Sequence, residues 1–284
     1  MLLSAHMKTA EFPISRYLDR IGLNKIPDVC EGGLRELHAA QSFSIPFENF
    51  DIHLNRTISL KPDALVSKLI HQRRGGYCFE LNGLFRLALQ SLGFNVRPLL
   101  ARVVYNLPEP GARTHQVLIV TISGQEWLAD VGFGGPGICL PLPMIPDQIG
   151  EQYGERYRLR LDSGYGMVLQ KARKDAFVDL YVFDVNEHTL DPDIEMANHF
   201  TSTWPSSLFR LSRMCSLRKT WGRVTLSDME LTIHRDGQSI RQTLSPGPQY
   251  TSAITEHFGI HLNAEFEDLI PLAPSQQTKG RWLE

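Results

Sequence analysis

Hydrophobic positions in the first third of the chain recur at helical spacing. Ile14, Tyr17, Leu18 and Ile21 stand three and four residues apart, and Gly22 is placed to end that helix. Leu34, Leu37 and Ala40 continue the pattern up to Ser44-Ile45-Pro46, where proline interrupts it. A third short helix is predicted from Asp63 to Gln72, with Leu65, Leu69 and Ile70 on one face. A fourth begins near Tyr77. Its stripe is Leu81, Leu84, Phe85, Ala88 and Leu92, and Gly93 sits where a C-cap glycine would.

Beyond Gly93 the pattern changes to short runs. Asn95–Tyr105, Gln116–Ile122, Glu126–Phe133, Arg156–Leu161, Met167–Lys171 and Phe177–Val185 read as strands divided by Gly, Pro, Asp and Ser. This spacing predicts an antiparallel sheet or barrel in place of alternating βα units. From about Ser206 two hairpins are expected, around Ser227-Asp228 and Asp236-Gly237, then a helix near Tyr250–Phe258. The order is helices, strands, then a mixed tail.

Composition narrows the classes. At 284 residues the chain suggests about two domains and can build a core without disulfides or a structural metal. Lys and Arg total 29 against 31 Asp and Glu, a net charge of −2 with no basic run, so no nucleic-acid partner is expected. Cys30, Cys78, Cys139 and Cys215 form no CxxC and no zinc-ligand spacing, which fits a reducing, cytoplasmic compartment. Aliphatic stretches such as Val117–Val120 fall short of the ~20 residues of a membrane span. The opening MLLSAHMKTA lacks a basic start and a long apolar stretch, so no secretory signal is expected, and Met7 is a second candidate start.

Candidate chemistry concentrates in Arg73-Arg74-Gly75-Gly76-Tyr77-Cys78-Phe79-Glu80-Leu81-Asn82-Gly83. Two glycines permit a tight turn just before a helix, which places Cys78 in the first helical turn. There the free N–H groups and the helix dipole favour a thiolate and can receive an oxyanion. The alternative is an inert core cysteine. A nucleophile needs a base and an orienting group. Downstream, His115 stands at a strand start and Asp130 lies in an otherwise apolar strand, where a carboxylate needs a partner. A hairpin turning at Gly124-Gln125 pairs His115 with about residue 133, roughly 10 Å along the strand from Asp130. A triad therefore requires a bulge, a strong twist, or a His115 lying just before the ladder begins. Residues 132–137 match GxGxxG, but the prolines that follow rule out the helix a dinucleotide site needs.

These segments resemble those of the arylamine N-acetyltransferase family, bacterial type. The R-G-G-x-C-x-E-x-N pattern around Cys78 carries the likeness, together with Ile45-Pro46-Phe47-Glu48-Asn49, Thr114-His115 and Asp130-Val131-Gly132-Phe133-Gly134. The segment from Asn198 to Phe209 adds a weaker match.

The resemblance implies an α+β fold in three regions. These are an N-terminal helical bundle (1–94), a central antiparallel β-barrel (95–205) and a C-terminal α/β lid (206–284). It implies a cysteine-protease-like triad, with Cys78 as nucleophile, His115 as base and Asp130 orienting it. It further implies ping-pong acetyl transfer from acetyl-CoA to arylamines or arylhydrazines, with no metal or redox cofactor. Phe47, Val103, Phe133 and Phe209 are the expected acceptor-pocket residues, and Gly132, Gly134, Thr203 and Ser207 the candidate CoA contacts. Arg73 and Glu80 are expected to support the site, as charged neighbours able to pair with each other. The same triad also serves an amide synthase or a cysteine hydrolase, and a non-catalytic acyl-CoA or aryl-ligand binder is a third class. Neither a membrane partner nor an oligomeric state is assigned.

Overall fold

The computed structural model describes residues 12–174 and 176–272. The opening decapeptide with Met7, and residues 273–284 of the third expected region, lie outside the described residues. The helical first third contains α1 (Ile14–Ile21) and α2 (Glu31–Ser44), then a two-residue strand β1 (Phe47–Glu48) and α3 (Phe50–His53). Gly22 ends α1 at φ 77°, the left-handed conformation glycine adopts without strain. The helix expected over 63–72 forms as α4 (Pro62–Leu65) running into a π-helical stretch, Val66–His71. The fourth, α5 (Cys78–Ser91), starts one residue after its Tyr77 N-cap. Leu34, Leu37, Leu69, Leu81, Leu84 and Phe85 form the buried core of this region.

Eight antiparallel strands follow: β2 (Asn95–Val103), β3 (Arg113–Ile122), β4 (Gln125–Ala129), β5 (Leu142–Pro143), β6 (Gly150–Gln152), β7 (Glu155–Asp162), β8 (Gly166–Arg173) and β9 (Ala176–Phe183). Their order, β5-β4-β3-β2-β9-β8-β7-β6, brings the two edges almost together. A Cβ on Gly150 of β6 would stand 2.6 Å from Leu142 of β5, so the sheet is a nearly closed barrel. The unbroken apolar run Val117–Val120 is explained by burial on both faces. Leu118 and Val120 join the helical core, while Val117 and Ile119 fill the barrel.

Two features of this region differ from the sequence expectation. The β3–β4 hairpin turns at Ser123-Gly124, one residue earlier than expected, with both φ values positive (49° and 83°) as a type I′ turn requires. β4 also ends at Ala129, four residues before the predicted strand end.

The sequence pattern gave no sign of α6 (Asp191–Thr203), which is followed by α7 (Leu208–Leu211). Its exposed side sets the large apolar Met196 and Phe200 beside Glu195 and His199, which blurs the apolar–polar contrast that reveals a helical period. The tail holds the two expected hairpins as β10 (Met214–Lys219), β11 (Gly222–Ser227), β12 (Glu230–Arg235) and β13 (Gln238–Thr243), then α8 (Pro248–Phe258). β1 from the helical region joins this sheet at the edge of β10, pairing Phe47 with Ser216 and Glu48 with Cys215. Cys215, Leu217, Val224 and Leu226 cover one face of the sheet and pack with Tyr250 and Ile254 of α8.

Candidate active site

The turn before α5 is held from both sides. A Cβ on Gly75 would fall 2.2 Å from the Pro46 carbonyl oxygen, and one on Gly76 would meet Glu80 at 2.8 Å, so neither position accommodates a side chain. Glu80 accepts the Tyr77 N–H at 3.2 Å and so caps the first turn that carries Cys78. The charged residues here pair differently from expectation. Glu80 binds Lys68 (2.7 Å), which also reaches Asp51 (2.7 Å), while Arg74 binds Glu48 (2.7 Å) and Asp51 (3.1 Å). Arg73 contributes its backbone carbonyl to Arg20 (3.4 Å) instead of pairing with Glu80. Burial pushes Glu80 up to about 7 against the pull of Lys68.

Cys78 is buried at 3% exposure, with its Sγ 3.7 Å from the Thr114 carbonyl oxygen. His115, next along β3, places Nε2 2.8 Å from Asp130 Oδ2, and the neighbouring Cys78 further favours its protonated form. The distance objection is met in two ways. The register shifts between Ala101 and Arg102 of β2, which pair with His115 and Arg113, so Thr114 is bulged out. On the other flank the β3–β4 ladder stops at Leu118↔Ala129. With the turn one residue earlier, the extended register sets His115 opposite Gly132, on the same face as Asp130.

The amides beyond Ala129 leave the sheet for side chains, two of them in the helical region. Asp130 N–H donates to His38 Nε2 (3.0 Å), Val131 N–H to Asn82 Oδ1 (3.0 Å) and Gly132 N–H to Asp130 Oδ1 (2.9 Å). Asn82 lies one helical turn beyond Cys78, and its Nδ2 donates to Asp130 Oδ1 (2.9 Å) and to the Gln116 carbonyl (2.7 Å). Sequence reading passed over this role, although the i, i+4 spacing from Cys78 was its signal. Burial opposes charge on His115, but the Asp130 carboxylate outweighs it and pushes His115 up to about 10. Burial likewise opposes charge on Asp130. The His115 charge and the hydrogen bonds from His115, Asn82 and Gly132 outweigh it and hold the carboxyl below its usual range.

These groups open onto a cavity of about 320 Å³ lined by Cys78 and His115. Phe47, Val103, Phe133, Phe209, Gly132 and Ser207 all contribute to its wall. Two expected residues do not. Thr203 is exposed and gives its hydroxyl to the His199 carbonyl (2.6 Å) within α6. Gly134 lies behind the Phe47 ring, in a smaller crevice bounded by Phe133, Ser216 and Arg218. Phe200 of α6 and Trp204 at its C-cap also line the cavity, stacked at 5.5 Å and 20°.

The Ile45–Asn49 segment organises this wall. Phe47 lines the cavity, Glu48 binds Arg74, and Asn49 clamps the Phe209 (2.9 Å) and Ser212 (2.8 Å) carbonyls and the Met214 amide (2.7 Å). Asn198 accepts the Tyr77 hydroxyl, tying α6 to the residue before Cys78. Among the described residues, no cluster of three or more His, Cys, Asp or Glu could hold a metal ion, and no helix is long and apolar enough to cross a membrane.

The N-acetyltransferase family profile matches residues 32–266. The chain is 40% identical over 235 residues to the arylamine N-acetyltransferase / N-hydroxyarylamine O-acetyltransferase of Salmonella typhimurium, covering 81% of this chain and 82% of that one. The arylamine N-acetyltransferase of Nocardia farcinica superposes with a TM-score of 0.85 at 32% identity, covering 98% and 97% of the two chains. That of Mycobacterium marinum, solved in complex with CoA, gives 0.84 at 35% identity over 90% and 96%. The chain belongs to the arylamine N-acetyltransferase family and is an acyltransferase.

Proposed function

We propose that this enzyme moves an acetyl group from acetyl-CoA to the nitrogen of arylamines or arylhydrazines through an acetyl-Cys78 intermediate. The observation that carries the proposal is the Cys78–His115–Asp130 chain of contacts at the floor of an aromatic cavity. An imidazolium held by Asp130 is the neighbour a thiolate needs. Cys78 Sγ attacks the thioester carbonyl, and the oxyanion faces the N–H groups at the start of α5. The C–S bond to CoA breaks, and the CoA sulfur takes the His115 proton, which leaves His115 neutral. The amine then attacks the acetyl carbon, His115 accepts its proton, and Cys78 leaves as thiolate. Phe47, Phe133 and Phe209 offer ring faces and edges to a flat aryl group, with Val103 beside them. Gly132 and Ser207 line the same cavity and remain donor-contact candidates.

In this reading region 1–94 supplies the nucleophile, 95–205 supplies His115 and Asp130, and 206–284 closes the cavity as a lid. The M. marinum relative's complex with CoA supports the donor. The four free thiols accord with a cytoplasmic location.

The test is mass spectrometry of protein mixed with acetyl-CoA, then with an arylamine. An acetyl group on the Cys78 peptide that passes to the amine is expected, and Cys78→Ser should form none. Full turnover by that variant overturns the mechanism. Release of CoA without acetylated amine identifies a hydrolase, and no CoA release with no acetyl-Cys78 identifies a binder.

A further inference from the structure

Arg20, on α1, is a buried cation without a counter-ion. It is 7% exposed, and its guanidinium donates to backbone carbonyls: Nε to Leu69 (2.9 Å), Nη1 to Ser44 (2.7 Å), and Nη2 at longer range to Arg73 (3.4 Å) and Arg74 (3.3 Å). A guanidinium has five N–H donors, so capacity is left over. Among the described residues no carboxylate forms a salt bridge with it, although a buried charge ordinarily has a partner. Its charged neighbour is instead Arg73, of like sign, and burial together with that charge lowers Arg20 to about 10. The guanidinium borders a cavity of about 280 Å³ between α1 and the end of the π-helical stretch, lined by Arg16, Asp19, Arg20, Ile70, His71 and Arg73. Three guanidiniums and an imidazole stand there against one carboxylate. Arg16 and Arg73 are exposed, and neither forms a salt bridge among the described residues. Arg16 also sits in the first turn of α1, where the helix dipole disfavours a cation. Charges of one sign gathered around a concavity concentrate ions of the other, and guanidinium forks match the geometry of oxyanions. The cavity shares no lining residue with that of Cys78.

We propose that this cavity on the helical region is a second ligand site, which binds a small multivalent oxyanion, a phosphate or a polycarboxylate, as the counter-ion of Arg20. Arg16 and Arg73 supply the exposed charges at its rim. Arg20 also holds the carbonyls of Arg73 and Arg74, just before Gly75-Gly76, so the anion sits behind the turn that leads to Cys78.

The test is calorimetry on the full-length protein with inorganic phosphate, pyrophosphate and citrate, each against sodium chloride of equal ionic strength. At least one of the three is expected to bind, with Kd raised about tenfold in Arg16→Gln and in Arg73→Gln. Binding of the phosphates without citrate identifies a phosphate site, citrate alone a carboxylate site, and both classes a general oxyanion site. Binding of none overturns the proposal. So does an affinity unchanged in either variant, and so does displacement of the anion by CoA, which places it at the donor's site.

Thermal denaturation separates ligand binding from a structural role. In chloride alone, Arg73→Gln relieves the repulsion on Arg20 and should melt no lower than the parent. With the anion added, the parent's Tm should rise and that of the variant should rise less. A variant that melts well below the parent in chloride gives Arg73 a structural role, and the Arg16→Gln affinity then decides the site: weakened binding upholds it, and unchanged binding overturns it.

Discussion

Asn82 Nδ2 lies 2.9 Å from Asp130 Oδ1, a hydrogen bond that joins the helix carrying Cys78 to the loop carrying the carboxylate. The same amide holds the Gln116 carbonyl and the Val131 N–H. Asn82→Ala leaves these buried groups short of partners, at about 1–3 kcal/mol for each group left unpaired. Cys78 acylation in that variant should slow by roughly tenfold to a hundredfold in single-turnover experiments, with acceptor KM little changed. An acylation rate equal to the parent's would show that Asp130 is positioned without Asn82.

The His115–Asp130 pair sets a pH window. The folded pKa of His115, about 10, lies above the ~6.5 of an unfolded histidine. Its contribution to stability is then fully present below ~6.5 and lost as pH rises through about 10. Asp130 is held low, so its contribution is present above ~4 and lost as pH falls through its folded value. Denaturant midpoints measured against pH should decline on the alkaline side in the parent, with that step missing in His115→Gln. A step of the same size in both proteins would assign it to other groups.

Thiol reactivity should run against exposure. Cys30 is exposed and Cys78 is buried, yet Cys78 has the imidazolium beside it. Burial pushes the thiols of Cys139 and Cys215 up. Limited iodoacetamide treatment at neutral pH, read by peptide mapping, should label Cys78 first. Labelling led by Cys30 would mean that accessibility alone decides the order.

Gly132 approaches the start of α5 too closely for any side chain. A Cβ there would stand 2.8 Å from the Cys78 Cα and 2.7 Å from Asn82 Nδ2. Gly132→Ala must push the loop from the helix, costing about 1–3 kcal/mol and lowering the acylation rate. Gly124→Ala, at an exposed turn with open space around it, is the control for backbone strain alone (φ 83°). An equal loss of acylation in both variants would refute the close-approach argument.

Lys68→Met removes the cation shared by Asp51 and Glu80 and leaves two buried carboxylates side by side. The expected loss is about 3–5 kcal/mol of stability, read by thermal denaturation. The acylation rate per folded molecule should stay close to the parent's, because Lys68 contacts neither Cys78 nor His115 directly. A larger effect on acylation than on stability would place the cluster in the chemistry.

Local pattern made much of this molecule legible. Spacings of three and four marked α1, α2 and α5, and turn residues marked the strands and both C-terminal hairpins, because these elements hide one face and show the other. α6 escaped, since Met196, Phe200 and Trp204 stay exposed and blur that contrast. The glycine turn and helix start singled out Cys78, and the apolar surroundings of Asp130 announced a buried carboxylate in need of a partner.

The distance between His115 and Asp130 was beyond the reach of pattern. It depends on where a hairpin turns by one residue, on a bulge at Thr114, and on three amides that desert the ladder for His38, Asn82 and Asp130. The pairing of charges behind Cys78 was equally hidden. Lys68 and Arg74, not Arg73, reach the carboxylates. So the sequence by itself determined the chemical groups, the elements that carry them and the family. Tertiary structure decided which of those groups touch, because hydrogen bonds and ion pairs depend on separations of a few ångströms between residues 12 to 92 positions apart in the chain.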